Sequence, residues 1–411
     1  MKDTVLKPLS RGFGDNTIVV GTVVISTFFI GFGGGVIFPI IPNLGAVLGI
    51  SPFLVGVILS ANRFTRLVAN APAGSLVDRI GTRTPFVLGM GIQSVGTAGY
   101  IIAFLLPFPT VWFLSARILW GVGSAFVFAT ALTIAADVSS GGSRGANMGL
   151  IRGGIIFGFP TGVVLGGLVS ELYGNIAAFS LATGFAAIAT GIAYVSIPET
   201  HVESDSHRSI KPWDVDTSLP ALTIGLVNFA VFFVYLGALF ATLVLFIREY
   251  GLGVFGLGPQ GSSGIFMAVT VVAAGVFMLF GGVISDRQAS RVPVLLVFLL
   301  LAGSGFVLLA FSDSVATFGI ACVFVGIGQG GTSGPLLALL ADMTPDERMG
   351  RAVGTNNVFG DIGGGIGPLL TLPLVDTIGF VPVYLACGVL PIVAAGVLLG
   401  GVYRETGQFL P

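Results

Sequence analysis

Charge is what this chain has least of. Asp, Glu, Lys and Arg supply 9% of its 411 residues, against about 25% in an ordinary soluble domain. A surface bathed in water cannot be covered so thinly, so a soluble globular protein is excluded. The signs nearly balance, with 18 basic against 19 acidic residues, so no global field draws the chain to nucleic acid. Cysteine occurs twice, at Cys322 and Cys387, and histidine twice, at His201 and His207. Both cysteines fall in apolar stretches and read as small buried hydrophobes, not as a disulfide or metal pair. The histidines share a polar segment with no cysteine partner and no i, i+4 spacing, so no metal site is expected. No Gly-x-x-x-x-Gly-Lys-Ser/Thr run is present, so the sequence shows no ATP-driven engine. Two Gly-x-Gly-x-x-Gly matches begin at Gly251 and Gly326, but 63 glycines yield such matches by chance. Neither follows a strand, and no cofactor is expected.

Apolar residues are abundant, at 54%. A helix rises 1.5 Å per residue, so about 20 apolar residues cross a bilayer. Twelve stretches qualify: 17–42, 52–76, 84–106, 109–137, 145–170, 174–197, 219–247, 262–285, 292–311, 314–341, 351–375 and 378–403. They are too long and too uniformly apolar for barrel strands, and lipid tolerates only helices or closed barrels. The expected fold is therefore an all-α membrane protein of twelve spans. The first span follows Lys2, Lys7 and Arg11 but is too long for a signal peptide, and reads as a retained helix. With the amino terminus inside, thirteen of the 18 Lys and Arg residues fall on the inner side, one (Arg248) falls outside, and four lie within spans. That bias supports twelve spans with both termini cytoplasmic.

The longest polar stretch, 198–218, separates residues 1–197 from residues 219–411, six spans from six. The halves repeat one another. Gly74, Asp78, Arg79, Arg83 and Pro85 recur 208 residues later as Gly282, Asp286, Arg287, Arg291 and Pro293. Gly121, Gly123, Asp137, Gly149 and Gly174 recur 205 residues later as Gly326, Gly328, Asp342, Gly354 and Gly379. Glu199-Thr200 recurs as Glu405-Thr406.

These motifs resemble those of the major facilitator superfamily, and the resemblance covers essentially the whole chain. Residues 74–85, with Gly74, Asp78, Arg79, Gly81 and Arg83, look like the family's loop 2–3 signature. Thr82 and Thr84 depart from it, so one customary basic position is missing. Arg117 to Ala125 resembles the helix-4 motif, with Trp120 where Gln is usual. Asp342 to Arg351 resembles the loop 10–11 signature, and Asp137 to Gly145 is its weaker copy. The resemblance implies two pseudo-symmetric six-helix bundles and a carrier that exposes a central site to each side in turn. It also implies that Asp78 docks on the amino terminus of helix 11 and Asp286 on that of helix 5, closing the inner side. The other reading of Arg79, Arg83, Arg287 and Arg291 is that they are only positive-inside anchors. Glycines crowd helix 5 (Gly153 to Gly167) and helix 11 (Gly360 to Gly367). The helix-5 run is a degraded form of the family's antiporter motif, and plain helix packing explains it equally well.

Charges inside the spans carry the most information, because each costs about 2.5–3.5 kcal/mol at mid-bilayer on insertion scales. Arg63 and Arg66 lie about 17 and 21 Å into helix 2 at 1.5 Å per residue, on one face with Asn62 and Asn70. Arg117 is in helix 4 and Arg152 in helix 5. Asp361 is the sole deep acid, near Asn356 and Asn357 in helix 11. All five charges fall on helices that line the cavity in the family. Asp361 is the expected proton-coupling residue; a purely structural pairing with an embedded Arg is the alternative. Four embedded arginines against one acid favour a substrate with an anionic group, unless the arginines are spent on backbone carbonyls. No span contains a histidine, which leaves a polytopic enzyme without its catalytic cluster.

The expectation is a monomeric multi-pass protein of the cytoplasmic membrane, with lipid and a small solute as its partners. It would be a secondary transporter, favoured as proton-coupled efflux of an amphipathic or anionic molecule. The alternatives are a symporter or facilitator for uptake, and more remotely a channel or a non-transporting receptor.

Overall fold

In a computed structural model of the 411-residue chain, residues 13–137, 144–200 and 215–410 are described. His201, His207 and most of the 198–218 stretch lie outside them. The first six long helices are α1 (Phe13–Val36), α2 (Pro52–Ile80), α3 (Arg83–Leu105), α4 (Pro109–Asp137), α5 (Arg144–Tyr173) and α6 (Asn175–Ser196). The next six are α7 (Leu219–Tyr250), α8 (Pro259–Asp286), α9 (Val292–Ala310), α10 (Val315–Asp342), α11 (Asp346–Ile378) and α12 (Phe380–Thr406). All twelve are long and apolar enough to span a bilayer.

Several helices outrun their apolar stretches. α2 continues to Ile80 and so includes Asp78, which the hydropathy pattern placed beyond its end. α11 starts at Asp346, with Asp346 and Glu347 in its first turn, where carboxylates favour the positive helix end. Hydropathy finds only the part that crosses hydrocarbon; caps set the true ends. Ser51 caps α2 ahead of Pro52, and Ser314 and Thr317 form a reciprocal capping box on α10. α7 is not uniform: Phe233–Leu239 winds as a π turn, a distortion that often marks working helices.

Helix contacts follow one plan twice. α1 packs on α5, α2 on α4, and α3 on α4 and α6; six helices later α7 packs on α11, α8 on α10, and α9 on α10 and α12. The two groups meet chiefly along α2–α11 and α5–α8. The glycines of α5 largely serve packing within the first group. A Cβ on Gly158 or Gly162 would strike the backbone of α1 at Phe28 or Phe32. Cys322 and Cys387 sit fully buried and unbridged in the apolar core of the second group.

Glycines also show which end of the molecule is closed. At one end, a Cβ on Gly56 would lie 2.7 Å from Pro368 O of the other group. A Cβ on Gly167 would lie 2.5 Å from Gln260 O, and one on Gly264 2.7 Å from Val163 O. At the other end, Gly74, Gly149, Gly282, Gly350 and Gly354, on α2, α5, α8 and α11, have no described atom within 4 Å of that position. Among the described residues the groups therefore touch backbone to backbone at one end and make no such contact through these glycines at the other, which is called the open end. The open end is the one that carries Arg79, Arg83, Asp286 and Arg291.

Candidate functional site

A cavity of about 370 Å³ lies between the two groups. Aromatic side chains from both sides face it, Trp120, Phe128 and Phe159 from one and Phe232 and Tyr235 from the other. Arg63, Arg66 and Arg117 supply its charge, and Asn62 and Gln329 its amides.

Arg63 and Arg66 on α2 converge on Asp361 of α11, across the division between the groups. Arg63 Nη1 donates to Asp361 Oδ1 at 3.1 Å and Arg66 Nε to Oδ2 at 3.2 Å. Arg66 Nη2 donates to Oδ1 as well. The three-residue spacing of the arginines stacks them on one helix face. On α11, glycine makes room: a Cβ on Gly364 would stand 3.1 Å from the Arg63 guanidinium. The Asp361 side chain is 11% exposed, and those of Arg63 and Arg66 16% and 21%. One carboxylate thus answers two cations, and the cluster keeps one unit of positive charge at the cavity wall. Arg66 also lies over the Phe128 ring, 5.5 Å from its centroid. One turn nearer the closed end, Ser60 donates its hydroxyl to Gly365 O at 2.5 Å, a second tie between α2 and α11.

Arg117 does something else. It is buried and donates to Ile58 O at 3.1 Å, Leu59 O at 2.8 Å and the Asn62 side chain. Its fork is spent on α2, so it locks α4 to α2 and contributes little free charge to the cavity. Of the two roles the sequence allows for Arg117, this is binding to backbone carbonyls. Arg152 belongs to α5, but its side chain lies outside the described residues. Asn356 is buried and faces α7, where its carbonyl accepts from Asn228; Asn357 and Asn70 are exposed. Neither Asn356 nor Asn357 hydrogen-bonds Asp361 among the described residues.

The paired motifs lie at the open end and act within their own groups. Arg291 bridges Asp286 and Asp342, with Nε 2.6 Å from Asp342 Oδ2 and Nη1 2.5 Å from Asp286 Oδ1. The two carboxylates hold the Arg291 guanidinium above its ordinary value, chiefly through these hydrogen bonds. In the first group the matching position is wired differently. Glu199 accepts from the Thr82 and Arg83 amides at 2.7 and 3.3 Å and so caps α3. Gly81, at φ 87°, ends α2 where a Cβ would collide with that carboxylate. Arg83 donates to Tyr194 O at 3.0 Å, and Asp137 accepts from the Thr200 hydroxyl at 3.0 Å. Asp78, Arg79 and Arg287 are exposed, and Asp78 has no hydrogen-bond partner among the described residues. With this end open, neither Asp78 nor Asp286 reaches the opposite group among the described residues.

Apart from Arg248, the closed end holds residues that the sequence did not single out. Glu171, in the last turn of α5, accepts from the backbone amides of Gly258 and Gly261, the latter at 2.7 Å. These are free N–H groups at the start of α8, in the opposite group, so a carboxylate caps a helix across the interface. Gln260 joins the same seam through Asn175 at 3.2 Å and Ser170 at 3.0 Å. Arg248 reaches Asn43 at 3.0 Å. A lone acid in the last turn of a helix gives no sequence signal, because its partner lies 87 residues away and offers only backbone.

Two helical groups closed at one end around a charged, aromatic cavity define the class of membrane carriers. A family model described as Major Facilitator Superfamily matches residues 23–368 and 256–409, and the chain belongs to that family. Its members are transporters and not enzymes. The chain is 25% identical over 390 residues to "Multidrug resistance protein 2" of Bacillus subtilis (strain 168), covering 93% of this chain and 94% of that protein. It is 26% identical over 373 residues to "Multi-drug resistance efflux pump PmrA" of Streptococcus pneumoniae serotype 4 (strain ATCC BAA-334 / TIGR4), covering 87% and 90%. Among solved structures, a bacterial homologue of the human lysosomal transporter Spinster, in an inward-facing and occupied conformation, superposes with a TM-score of 0.82. That match has 15% identity and covers 98% of this chain and 99% of that one, a likeness of fold.

Proposed function

We propose that this chain is a monomeric secondary transporter of the cell membrane that exports a small amphipathic or anionic organic solute in exchange for protons. The observation that carries the reading is the Arg63–Arg66–Asp361 cluster, a tie between the two groups at the wall of the cavity. Two different ligands can undo it. A proton on Asp361 removes the charge that holds both guanidinium groups. A solute anion on Arg63 and Arg66 displaces the carboxylate from the other side. With neither bound, the tie holds α2 to α11 beside the closed end. An exchanger needs that logic: each ligand alone permits the switch, and the empty carrier stays put.

The positive-inside bias makes the open end cytoplasmic, so this conformation offers its cavity to solutes inside the cell. Two relatives are named as multidrug resistance proteins, one of them an efflux pump, which supports export. The aromatic walls suit an apolar body and the residual positive charge an anionic group. Solute and proton flux in inside-out vesicles test the reading. Acidifying the lumen should drive solute inward as protons leave, and Asp361→Asn should abolish that uphill uptake while downhill exchange continues. Entry of solute and proton together would instead establish symport. Unchanged uphill transport in Asp361→Asn would remove Asp361 from the mechanism.

A further inference from the structure

The central cavity has an annex. A second cavity of about 190 Å³ lies between α1, α4 and α5, lined by Val127, Ala131 and Ile151 among others. Three residues, Ile30, Phe128 and Ile155, line both cavities, so the two adjoin across shared walls. Among the described residues, Thr27 is its only polar side chain, and that hydroxyl is already spent on Val24 O at 2.9 Å and Ile151 O at 3.1 Å. Among the described residues, water entering the annex finds only the Thr27 oxygen as an acceptor, short of the two to four partners that a buried water needs, and an apolar cavity of this kind takes hydrocarbon in preference. Close-packed interiors leave few voids larger than a water molecule, and this one has the volume of roughly six. Its wall is also set beside the charge, because the Phe128 ring that faces it carries the Arg66 guanidinium 5.5 Å from its centroid.

We propose that this annex receives the hydrocarbon tail of the carried solute while its anionic head lies on Arg63 and Arg66. The inference rests on the anionic-solute reading above and narrows it to an amphiphile whose chain or aryl group has about six carbons, by the volume of the annex. Head and tail then bind to different helices: the head breaks the tie to α11, and the tail is gripped by α1, α4 and α5 alone. The solute would therefore stay with the first group while the second moves away.

Isothermal titration calorimetry of the protein in nanodiscs, with straight-chain alkanesulfonates of two to ten carbons, tests the assignment. Affinity should rise about fourfold per methylene up to about six carbons, the capacity of the annex, and then level off. Ala131→Phe should abolish the dependence on length and leave ethanesulfonate binding unchanged. Ala131→Val, a smaller filling, should bring the plateau one or two carbons earlier. Length-independent binding in the unaltered protein, or a dependence that survives Ala131→Phe, overturns the tail pocket alone. Absence of binding at every length overturns the anionic-solute reading and this assignment with it.

Discussion

Glu171→Gln should unlatch the closed end. The carboxylate caps the start of α8 from the last turn of α5, accepting from Gly258 and Gly261. Hydrogen bonds to a charged group contribute about 1.5–3 kcal/mol, and a negative charge at a helix amino terminus about 0.3–1 kcal/mol. Glutamine keeps one carbonyl for one amide but turns an NH2 toward the other and loses the charge. Glu171 is half-buried and is rehydrated when the seam opens, so only part of the sum is lost, about 1.5–2 kcal/mol. That is roughly a 10- to 30-fold change in the ratio of closed to open at this end. The native cysteines are buried, so spin labels can be placed on cysteines introduced at Tyr173 and Phe255, both exposed and on opposite sides of the seam. Pulsed electron resonance should show a longer inter-label distance gaining population in Glu171→Gln. Identical distance distributions in the variant and its parent would show that the carboxylate does not hold the groups together.

Three further changes probe other parts of the scaffold. Gly364→Val sets side-chain atoms against the Arg63 guanidinium, 3.1 Å from the Cβ position. Transport should fall at least about tenfold, the effect of roughly 1.4 kcal/mol, and a normal rate would show that Arg63 need not lie there. Arg117→Lys replaces a fork that serves three acceptors on α2 with a point charge, at a cost on the order of 2 kcal/mol; an unchanged melting temperature in detergent would contradict the locking role. Asp216 links residues ahead of α7 to α11, its amide donating to Thr355 Oγ1 at 2.8 Å. Burial pushes its carboxyl up, but hydrogen bonds from Ser218 and the nearby Arg348 and Arg351 hold it below the ordinary 3.8. Its stabilisation is thus present above about pH 4 and lost as pH falls through the lowered value. Asp216→Asn should melt lower than the parent at pH 7, and the difference should vanish in stronger acid; a gap that ignores pH would rule out the charge as its source.

Much of the architecture is written along the chain. Hydrocarbon is a simple solvent: it demands helices, sets their length and punishes charge. Twelve apolar stretches, the uneven placement of Lys and Arg, and the recurrence of Asp78 to Arg83 at Asp286 to Arg291 all follow from local composition and spacing. The scarcity of charge within the spans also marks Arg63, Arg66, Arg117 and Asp361 in the sequence itself. Their roles could not be separated that way. Arg66 and Arg117 have the same side chain and both lie within spans; one faces an acid 295 residues away, and the other spends itself on carbonyls of Ile58 and Leu59. Glu171 gave no signal at all, because backbone amides are present at every residue and only folding leaves particular ones free at a helix start. Which end is shut, which glycines touch, and where an apolar annex opens beside a guanidinium depend on how two bundles lean together. Composition and periodicity govern a residue's exchange between water and oil, while function here rests on pairings between helices far apart in sequence, which no local pattern encodes.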